Sequence, residues 1–340
     1  MEPAQKTSRQ DVFESTTLPG VGPNETFLRS LGLFGESASF RSALRMIPQL
    51  ARTTAPVLIR SEMGTCRERL ARAIHYSSAL RDRPFVQMDC LNVPHEFEEI
   101  ELFGVREGGA SAAPQRRGLI ENVAGGTVFL DEIHELGIPA QARLARFLES
   151  GRLTGDENGQ ARKVEARIIA TTSANIEGLV SAGLFRADLL ARIDVAGVTL
   201  PPLRERTEDI PPLVRWLSQR FAKEAARPSP VFEDGAMRAL QNYAWPGNVA
   251  ELESIIHELV LWGRTLTISA ADIPHRITGM APDPISTDRS LAEVELDHIR
   301  NVLGSVKGNK THAAKILGID RKTLRQKLRQ PDTRGTVATA

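Results

Sequence analysis

The apolar run Pro56-Val57-Leu58-Ile59 opens onto Arg60-Ser61-Glu62-Met63-Gly64-Thr65-Cys66-Arg67-Glu68, and a helical pattern follows. Further on, Gly125-Gly126-Thr127-Val128-Phe129-Leu130 ends in the acid pair Asp131-Glu132. A strand, a tight loop and a helix, followed by a strand that ends in two acids, is the pattern of a phosphate-binding loop and its metal-holding partner. It constrains the fold strongly. The loop must join a buried strand to a helix N-terminus, which calls for helices layered on a parallel sheet, an α/β sandwich. The surrounding pattern agrees, since helical and strand periods alternate from about residue 34 to 200. Strands are predicted at 56–60, 85–89, 127–130, 166–171 and 194–200, mostly short and apolar, as strands buried on both faces are.

The loop departs from Gly-x-x-x-x-Gly-Lys at its three defining positions. Ser61 stands for the first Gly, Cys66 for the second and Arg67 for the Lys. In such a loop, backbone N–H groups wrap phosphates, and glycine permits close approach and unusual φ/ψ. An added Cβ at a positive φ costs about 1–2 kcal/mol. Arg67 keeps the charge but replaces a compact point charge with a planar fork. Thr65 supplies a hydroxyl, while Glu68 stands where many such loops place the hydroxyl that binds Mg2+. Ser61, Glu62, Gly64, Thr65, Cys66, Arg67 and Glu68 are the candidate nucleotide-binding residues, with weakened binding and lost binding both open. The thiol at 66 is read as a lost glycine rather than a redox switch. Asp131 and Glu132 are the candidate catalytic pair, with Asp131 holding Mg2+ and the pair orienting an attacking water. ATP with Mg2+, bound weakly or not at all, is the expected cofactor.

Bulk properties exclude other classes. Hydrophobic residues make up 41% and charged residues 25%, which suits a globular chain. No apolar run reaches the roughly 20 residues of a membrane helix, and the N-terminal sequence has no secretory pattern. Two cysteines build no disulfide framework, so a cytoplasmic setting is expected. Charge is unevenly spread. Residues 304–330 carry eight Lys/Arg against one acid, net +7, whereas the whole chain sums to +1. That concentration is a nucleic-acid footprint.

Six divisions follow: a loose leader at 1–33, the α/β unit at 34–200, a helical unit at 201–275, a linker at 276–289, a DNA-binding domain at 290–330 and a tail at 331–340. After Pro201-Pro202 the apolar spacing becomes helical, from Leu213, Trp216 and Leu217 to Leu252, Ile255, Ile256 and Leu259. Residues 308–328 form a helix-turn-helix candidate. Ala313 and Ala314 let two helices cross, Gly318 permits the turn and Asp320 caps the second helix. Ile316, Leu317, Ile319, Leu324 and Leu328 form the expected buried stripe, with Arg321, Lys322, Thr323, Arg325 and Lys327 facing outward. His312 has no Cys or His nearby and is read as a packing or phosphate-contacting side chain. A helix at 291–303 offers an apolar stripe that serves either as a dimer face or as internal core.

With these elements in order, residues 34–330 resemble the sigma-54-dependent transcription activators, bacterial enhancer-binding proteins of the AAA+ class. The motifs that carry the resemblance include Ala71-Arg72-Ala73-Ile74-His75, Glu101-Leu102-Phe103-Gly104 and Phe185-Arg186-Ala187-Asp188-Leu189-Leu190-Ala191-Arg192. Leu200-Pro201-Pro202-Leu203-Arg204-Glu205-Arg206 and Trp245-Pro246-Gly247-Asn248-Val249 extend it. The resemblance implies an AAA+ P-loop sandwich with a helical lid and a Fis-type helix-turn-helix. It implies trans-acting arginine fingers at Arg186 and Arg192. It also implies a DNA surface made by Thr311, Arg321, Lys322, Thr323, Arg325 and Lys327, with the second helix in the major groove of double-stranded DNA.

Departures from the family pattern decide the functional expectation. The sigma-contacting Gly-Ala-Phe-Thr-Gly-Ala falls on Gly108-Gly109-Ala110-Ser111-Ala112-Ala113, so its Phe is lost, and Pro114 stiffens the exit. The first sensor Asn is Ser173, the second sensor Arg is Ala250, and the Asn that pairs with Glu132 is Asp89, expected to repel it. Arg186 and Arg192 are kept. The expected protein is a sequence-specific DNA-binding regulator with weak or absent ATP hydrolysis that acts without remodelling sigma-54 polymerase. Oligomers with itself or with an intact AAA+ relative are the expected assemblies. With no receiver-like pattern before residue 34, control is expected from a partner or from expression level. The competing reading is an ATP-dependent sigma-54 activator with unorthodox motifs.

Overall fold

The computed structural model describes residues 25–105, 116–153, 162–263, 265–278, 299, 310–320, 323–324 and 327. The strands β1 (Val57–Arg60), β2 (Phe85–Asp89), β3 (Thr127–Asp131), β4 (Arg167–Thr172) and β5 (Ala196–Thr199) form one sheet in the order β2-β3-β4-β1-β5. All its pairings are parallel, with Leu58 opposite Ala170 on one side and Gly197 on the other. The principal helices are α1 (Glu25–Ser30), α2 (Ala38–Arg45), α3 (Arg67–Tyr76), α4 (His95–Phe103), α5 (Ile138–Ser150) and α6 (Ala187–Ile193). They continue with α7 (Ile210–Glu224), α8 (Asp234–Asn242), α9 (Asn248–Trp262) and α10 (Lys310–Leu317).

Alternation along each strand gives the sheet two apolar faces. Leu58, Val128, Leu130, Ile168 and Ala170 share a core with Leu102 of α4, Leu144 of α5 and Leu189 and Ile193 of α6. Val57, Ile59, Phe129, Ile169 and Val198 share the opposite core with Phe27, Leu33, Phe40, Leu70 and Ile74. The loop after β1 therefore leaves the carboxyl edge of a central strand, where open α/β sheets bind ligands.

Strands lie within two residues of expectation. β3 extends to Asp131, which pairs in register with Asp89, so the first acid still belongs to the sheet. The expected loose leader at 1–33 needs correction from residue 25 on. Glu25–Ser30 is helical, and Phe27 and Leu33 are buried in the core. Six residues are too few for a helical period to show in sequence.

The helical unit that follows the sheet packs α7 against α9. Trp245 is fully buried between helices, and its indole N–H donates to the Leu240 carbonyl at 2.7 Å. Asp209 ties this unit to the start of α2 by accepting from Ser37 N and Ser37 Oγ, both at 2.9 Å.

The chain divides into two compact units at Ile273/Pro274. In the second, His275–Thr278 is helical, so the first residues of the expected linker 276–289 are not extended chain. Ile299, Ala313, Ala314 and Leu324 form its small core, which places Ile299 inside rather than on a free face. Gly318 takes φ +65°, and Asp320 accepts from Thr323 N at 2.9 Å, a capping bond that starts the second helix. Ile316 is corrected: it is 55% exposed and lies outside the buried stripe, because Ala313, Ala314 and Leu317 already fill the inward face of α10. Leu328 and the tail 331–340 lie outside the described residues.

Candidate nucleotide site

The loop between β1 and α3 is tied down at both ends. Ser61 N donates to Thr172 O at 3.0 Å, continuing the β1–β4 pairing, and the α3 ladder begins with Leu70 N to Cys66 O. Ser61 keeps an ordinary backbone, so its Cβ carries no conformational penalty; its hydroxyl is buried and makes no hydrogen bond. Cys66 does sit at φ +74°, where a side chain costs about 1–2 kcal/mol. Burial pushes the Cys66 thiol up, with Arg69 Nη1 3.6 Å from its sulfur. Thr65 Oγ1 donates to the Glu62 carbonyl at 2.7 Å, and Glu68 pairs with Arg72 at 2.7 Å one turn along α3.

The helical lid clamps this loop. Gly64 stands at φ +79°, and a Cβ there would run into the Gly247 carbonyl. Ala250 N, at the start of α9, donates to Gly64 O at 3.2 Å. Asn248 Nδ2 donates to Met63 O at 2.9 Å and to Glu62 Oε2 at 3.2 Å, while its Oδ1 accepts from Leu203 N at 2.8 Å. Arg204 grips Glu62 with two bonds of 2.8 and 2.6 Å, which hold that carboxyl below its usual range against partial desolvation. Asn248 takes φ +51°, a left-handed conformation that Asn adopts more readily than most residues.

Arg67 determines the character of the site. It leaves the first turn of α3 and inserts its guanidinium between the two acids at the end of β3. Nε lies 2.7 Å from Asp131 Oδ1, Nη2 donates to Asp131 Oδ2 at 3.2 Å, and Nη1 donates to Glu132 Oε1. Thr171 Oγ1 donates to Asp131 Oδ1 at 2.6 Å. Glu132 Oε2 accepts from Ser173 N at 2.8 Å and lies 3.2 Å from His134 Nδ1. All four carboxylate oxygens thus have partners, in a setting where the side chains of Arg67 and Glu132 are less than a tenth exposed. Burial would raise the Glu132 carboxyl, but bonds from His134, Arg67 and Ser173 outweigh it and bring it down to about 2. Asp131 moves the other way: burial raises it, and Glu132 and Asp89 add repulsion that Thr171 and Arg67 only partly offset.

Asp89 was expected to repel Glu132. Its side chain instead accepts from Leu91 N at 3.1 Å and Asn92 Nδ2 at 2.6 Å, and its charge falls on Asp131. Ser173 serves Glu132 through its backbone N–H, and a bond from its side chain also lowers the Glu132 carboxyl.

The site so assembled contains Arg67, Asp131, Glu132 and the loop, but not the expected fingers. Arg186 forms two bonds to Asp188, at 3.0 and 2.8 Å, and Arg192 pairs with Glu149 at 2.9 Å. Their side chains are 39% and 36% exposed. Of the expected DNA-contacting residues, Thr323 is half-buried and its hydroxyl donates to Asp320 at 2.6 Å, so it works as part of the cap. Lys327 is half-buried, and Thr311 lies on α10. Arg321, Lys322, Arg325 and the segment Gly108 to Ala113 lie outside the described residues.

Sequence reasoning missed Thr171, His134 and the loop-holding pair Asn248 and Arg204. Thr171 carried a readable signal: a hydroxyl directly after the apolar run Ile168-Ile169-Ala170, in the strand beside the acid-bearing one. Among the described residues no cluster of three or more His, Cys, Asp or Glu is arranged to hold a metal ion. No helix there is long and apolar enough to cross a membrane.

A phosphate-loop strand order, an acid-tipped strand one place removed from the loop strand and a helical lid seated on the loop define an AAA+ P-loop domain. Residues 33–199 match the sigma-54 interaction domain, 204–289 the AAA+ ATPase lid domain and 290–330 the bacterial regulatory protein, Fis family. The transcriptional regulatory protein ZraR of Klebsiella oxytoca is 40% identical over 323 residues, 94% of this chain and 73% of that protein. The DNA-binding transcriptional regulator NtrC of Azospirillum brasilense is 34% identical, across 89% and 70% of the two chains. A crystal structure of NtrX from Brucella abortus in complex with ATP superposes with a TM-score of 0.66 at 30% identity, covering 87% of this chain and 68% of that one. The chain belongs to the sigma-54-dependent transcriptional regulators, with an AAA+ domain, its lid and a Fis-type helix-turn-helix.

Proposed function

We propose that this chain is a sequence-specific DNA-bound regulator that uses the AAA+ scaffold for assembly and binds nucleotide weakly, with little or no hydrolysis and without direct remodelling of sigma-54 polymerase. The observation that carries this reading is Arg67, which occupies the acid pair that would otherwise hold the metal and orient the attacking water.

The two parts of the expected cofactor fit these residues differently. The loop fits a phosphate: its backbone N–H groups from Glu62 to Cys66 are drawn neither into the sheet nor into α3, and Ser61 offers an unpaired buried hydroxyl. The metal does not fit. Every oxygen of Asp131 and Glu132 already has a partner, the Thr65 hydroxyl serves the Glu62 carbonyl, and Glu68 replaces the customary hydroxyl. A buried charge pair of this kind loses much on being opened. The ATP bound by the NtrX relative supports nucleotide as the ligand class here.

Assembly is the remaining use of the scaffold. Arg186 and Arg192 are turned to carboxylates on their own surface and serve no group of their own site. In a ring of mixed composition they would face a neighbour's nucleotide, where such fingers are worth several orders of magnitude in rate. The basic segment 304–330 supports double-stranded DNA as the other partner.

The test is calorimetry with ATP alongside a phosphate-release assay on the purified protein, and then on its mixture with an intact relative. Weak binding without turnover, together with an altered rate in the mixture that depends on Arg186 and Arg192, supports the proposal. Robust turnover by the chain alone refutes it and favours an ATP-dependent activator.

A further inference from the structure

Loss of a P-loop lysine ordinarily leaves two acids without a nearby cation from the loop. Here the replacement is longer, forked and seated between them. Its Nε and Nη2 engage Asp131 while Nη1 engages Glu132, so one rigid group spans both carboxylates. A lysine ammonium is a compact charge on a flexible stem and lacks this fixed double reach. The partners around the acids complete the arrangement: Thr171 and Ser173 N on β4 and just beyond it, and His134 after β3. Nothing in this arrangement requires another cation. Two acids and one guanidinium leave a single net negative charge, which His134 and the backbone dipoles face.

We propose that Arg67 is a built-in counter-ion that takes the role of the divalent cation, so that the acid pair of this chain is closed to Mg2+ and any nucleotide it binds is bound without metal. The inference rests on the reading of a degenerate nucleotide site but concerns its metal side alone, and it is tested without nucleotide or DNA.

The experiment is Mn2+ titration of the full chain, followed by the electron paramagnetic resonance of free Mn2+ and by the thermal unfolding midpoint. Wild type, Asp131→Asn, Arg67→Gln and Arg67→Lys are compared. Asp131→Asn identifies the part of any Mn2+ binding that belongs to this site. The expected result is that wild type shows no Mn2+ binding that Asp131→Asn removes. Arg67→Gln should gain roughly tenfold or more in Mn2+ affinity, since a repelling charge within contact distance is removed. Its midpoint, lowered without metal, should rise on adding Mn2+. Arg67→Lys guards against a misfolded Gln variant and should show an intermediate gain. Because Asp131→Asn also alters the Arg67 contact, Glu132→Gln serves as a second localising variant.

Wild-type binding of Mn2+ that both Asp131→Asn and Glu132→Gln abolish overturns the proposal. So does a folded Arg67→Gln or Arg67→Lys protein that gains no Mn2+ binding, because Arg67 would then not be what excludes the ion. Either result leaves the regulatory reading standing, whereas ATP turnover by the chain alone would refute that reading whatever the metal titration gave.

Discussion

Asn248 joins three parts of the AAA+ domain and can be dissected by a short series of variants. Its Oδ1 accepts from Leu203 N, its Nδ2 donates to Met63 O and Glu62 Oε2, and its backbone sits at φ +51°. Asn248→Ala removes both side-chain functions. The buried Leu203 N–H is left unpaired, at about 1–3 kcal/mol. Alanine in the left-handed region adds about 1 kcal/mol relative to asparagine. The expected loss is about 3 kcal/mol. Asn248→Gly loses the same bonds but relieves the strain. About 1–2 kcal/mol is regained, less the roughly 0.5–1 kcal/mol that glycine adds to the unfolded chain's entropy, a net recovery of about 0.5–1 kcal/mol. Asn248→Asp keeps the bond from Leu203 and tolerates the conformation, but sets a carboxylate against Glu62. It should lie between wild type and Ala, and Glu62→Gln should rescue it. Urea denaturation followed by tryptophan fluorescence suits the question, because Trp216, Trp245 and Trp262 all lie in the lid. An Asn248→Ala loss under about 1 kcal/mol, or a Gly variant no better than Ala, would refute the clamp argument.

Other groups give independent checks. His75 is buried against Thr127 Oγ1 and the Arg83 carbonyl, and burial lowers its pKa from 6.5 to about 4. The unfolded chain then binds the extra proton first, so stability falls as pH drops from about 6.5 towards 4; between pH 7 and 5 the loss is about 2 kcal/mol, and His75→Gln should remove that slope. Glu132, lowered from 4.5 to about 2, contributes stability that is fully present above 4.5 and lost as pH falls through 2; Glu132→Gln should flatten denaturation curves in that lower window only. Asp320→Ala removes the cap on Thr323 N and should cost about 1 kcal/mol of stability in the small C-terminal unit. Circular dichroism of the chain and footprinting on its operator should both register the loss, and an unchanged footprint would count against the second helix as the DNA-reading element.

The fold was legible because parallel strands and their loop announce themselves locally. Val57-Leu58-Ile59 and Val128-Phe129-Leu130 are continuous apolar runs, and each ends in the polar group that the sheet edge presents. Local reading failed where the cause was distant. Nothing near Phe27 says that the sheet's second core extends that far. Nothing near Glu62 says that Arg204 and Asn248 will hold it, since they lie 142 and 186 residues further along the chain. The three altered loop positions were recognised as a group, but they are physically unlike. Ser61 sits in ordinary backbone, Cys66 alone bears the positive φ, and Arg67 reaches across to another strand. A motif gives positions, whereas the consequence of a substitution depends on φ and on what the new side chain can reach.

Arg67 shows why losing a lysine differs from gaining an arginine. Deleting the cation would leave Asp131 and Glu132 buried side by side, a repulsion that ordinarily raises one carboxyl until it is neutral. With Arg67 in place Glu132 falls to about 2, the mark of a carboxylate held charged by its partners, while Asp131 is still raised, by burial first and then by Glu132 and Asp89. A divalent ion placed about 4 Å from the same guanidinium would meet a repulsion of about 8 kcal/mol at an effective dielectric of about 20, and about 2 kcal/mol even in water. To admit the metal, Arg67 would have to give up its bonds to both acids, which engage its Nε, Nη1 and Nη2. The lid clamp holds the loop at Gly64, Met63 and Glu62, and the guanidinium holds the acids. Asn248→Ala should loosen the loop enough to speed hydrogen exchange at Ala250 N–H, yet leave Mn2+ excluded as long as Arg67 remains. Mn2+ binding by Asn248→Ala as tight as in Arg67→Gln would mean that the lid, and not the charge, keeps the ion out.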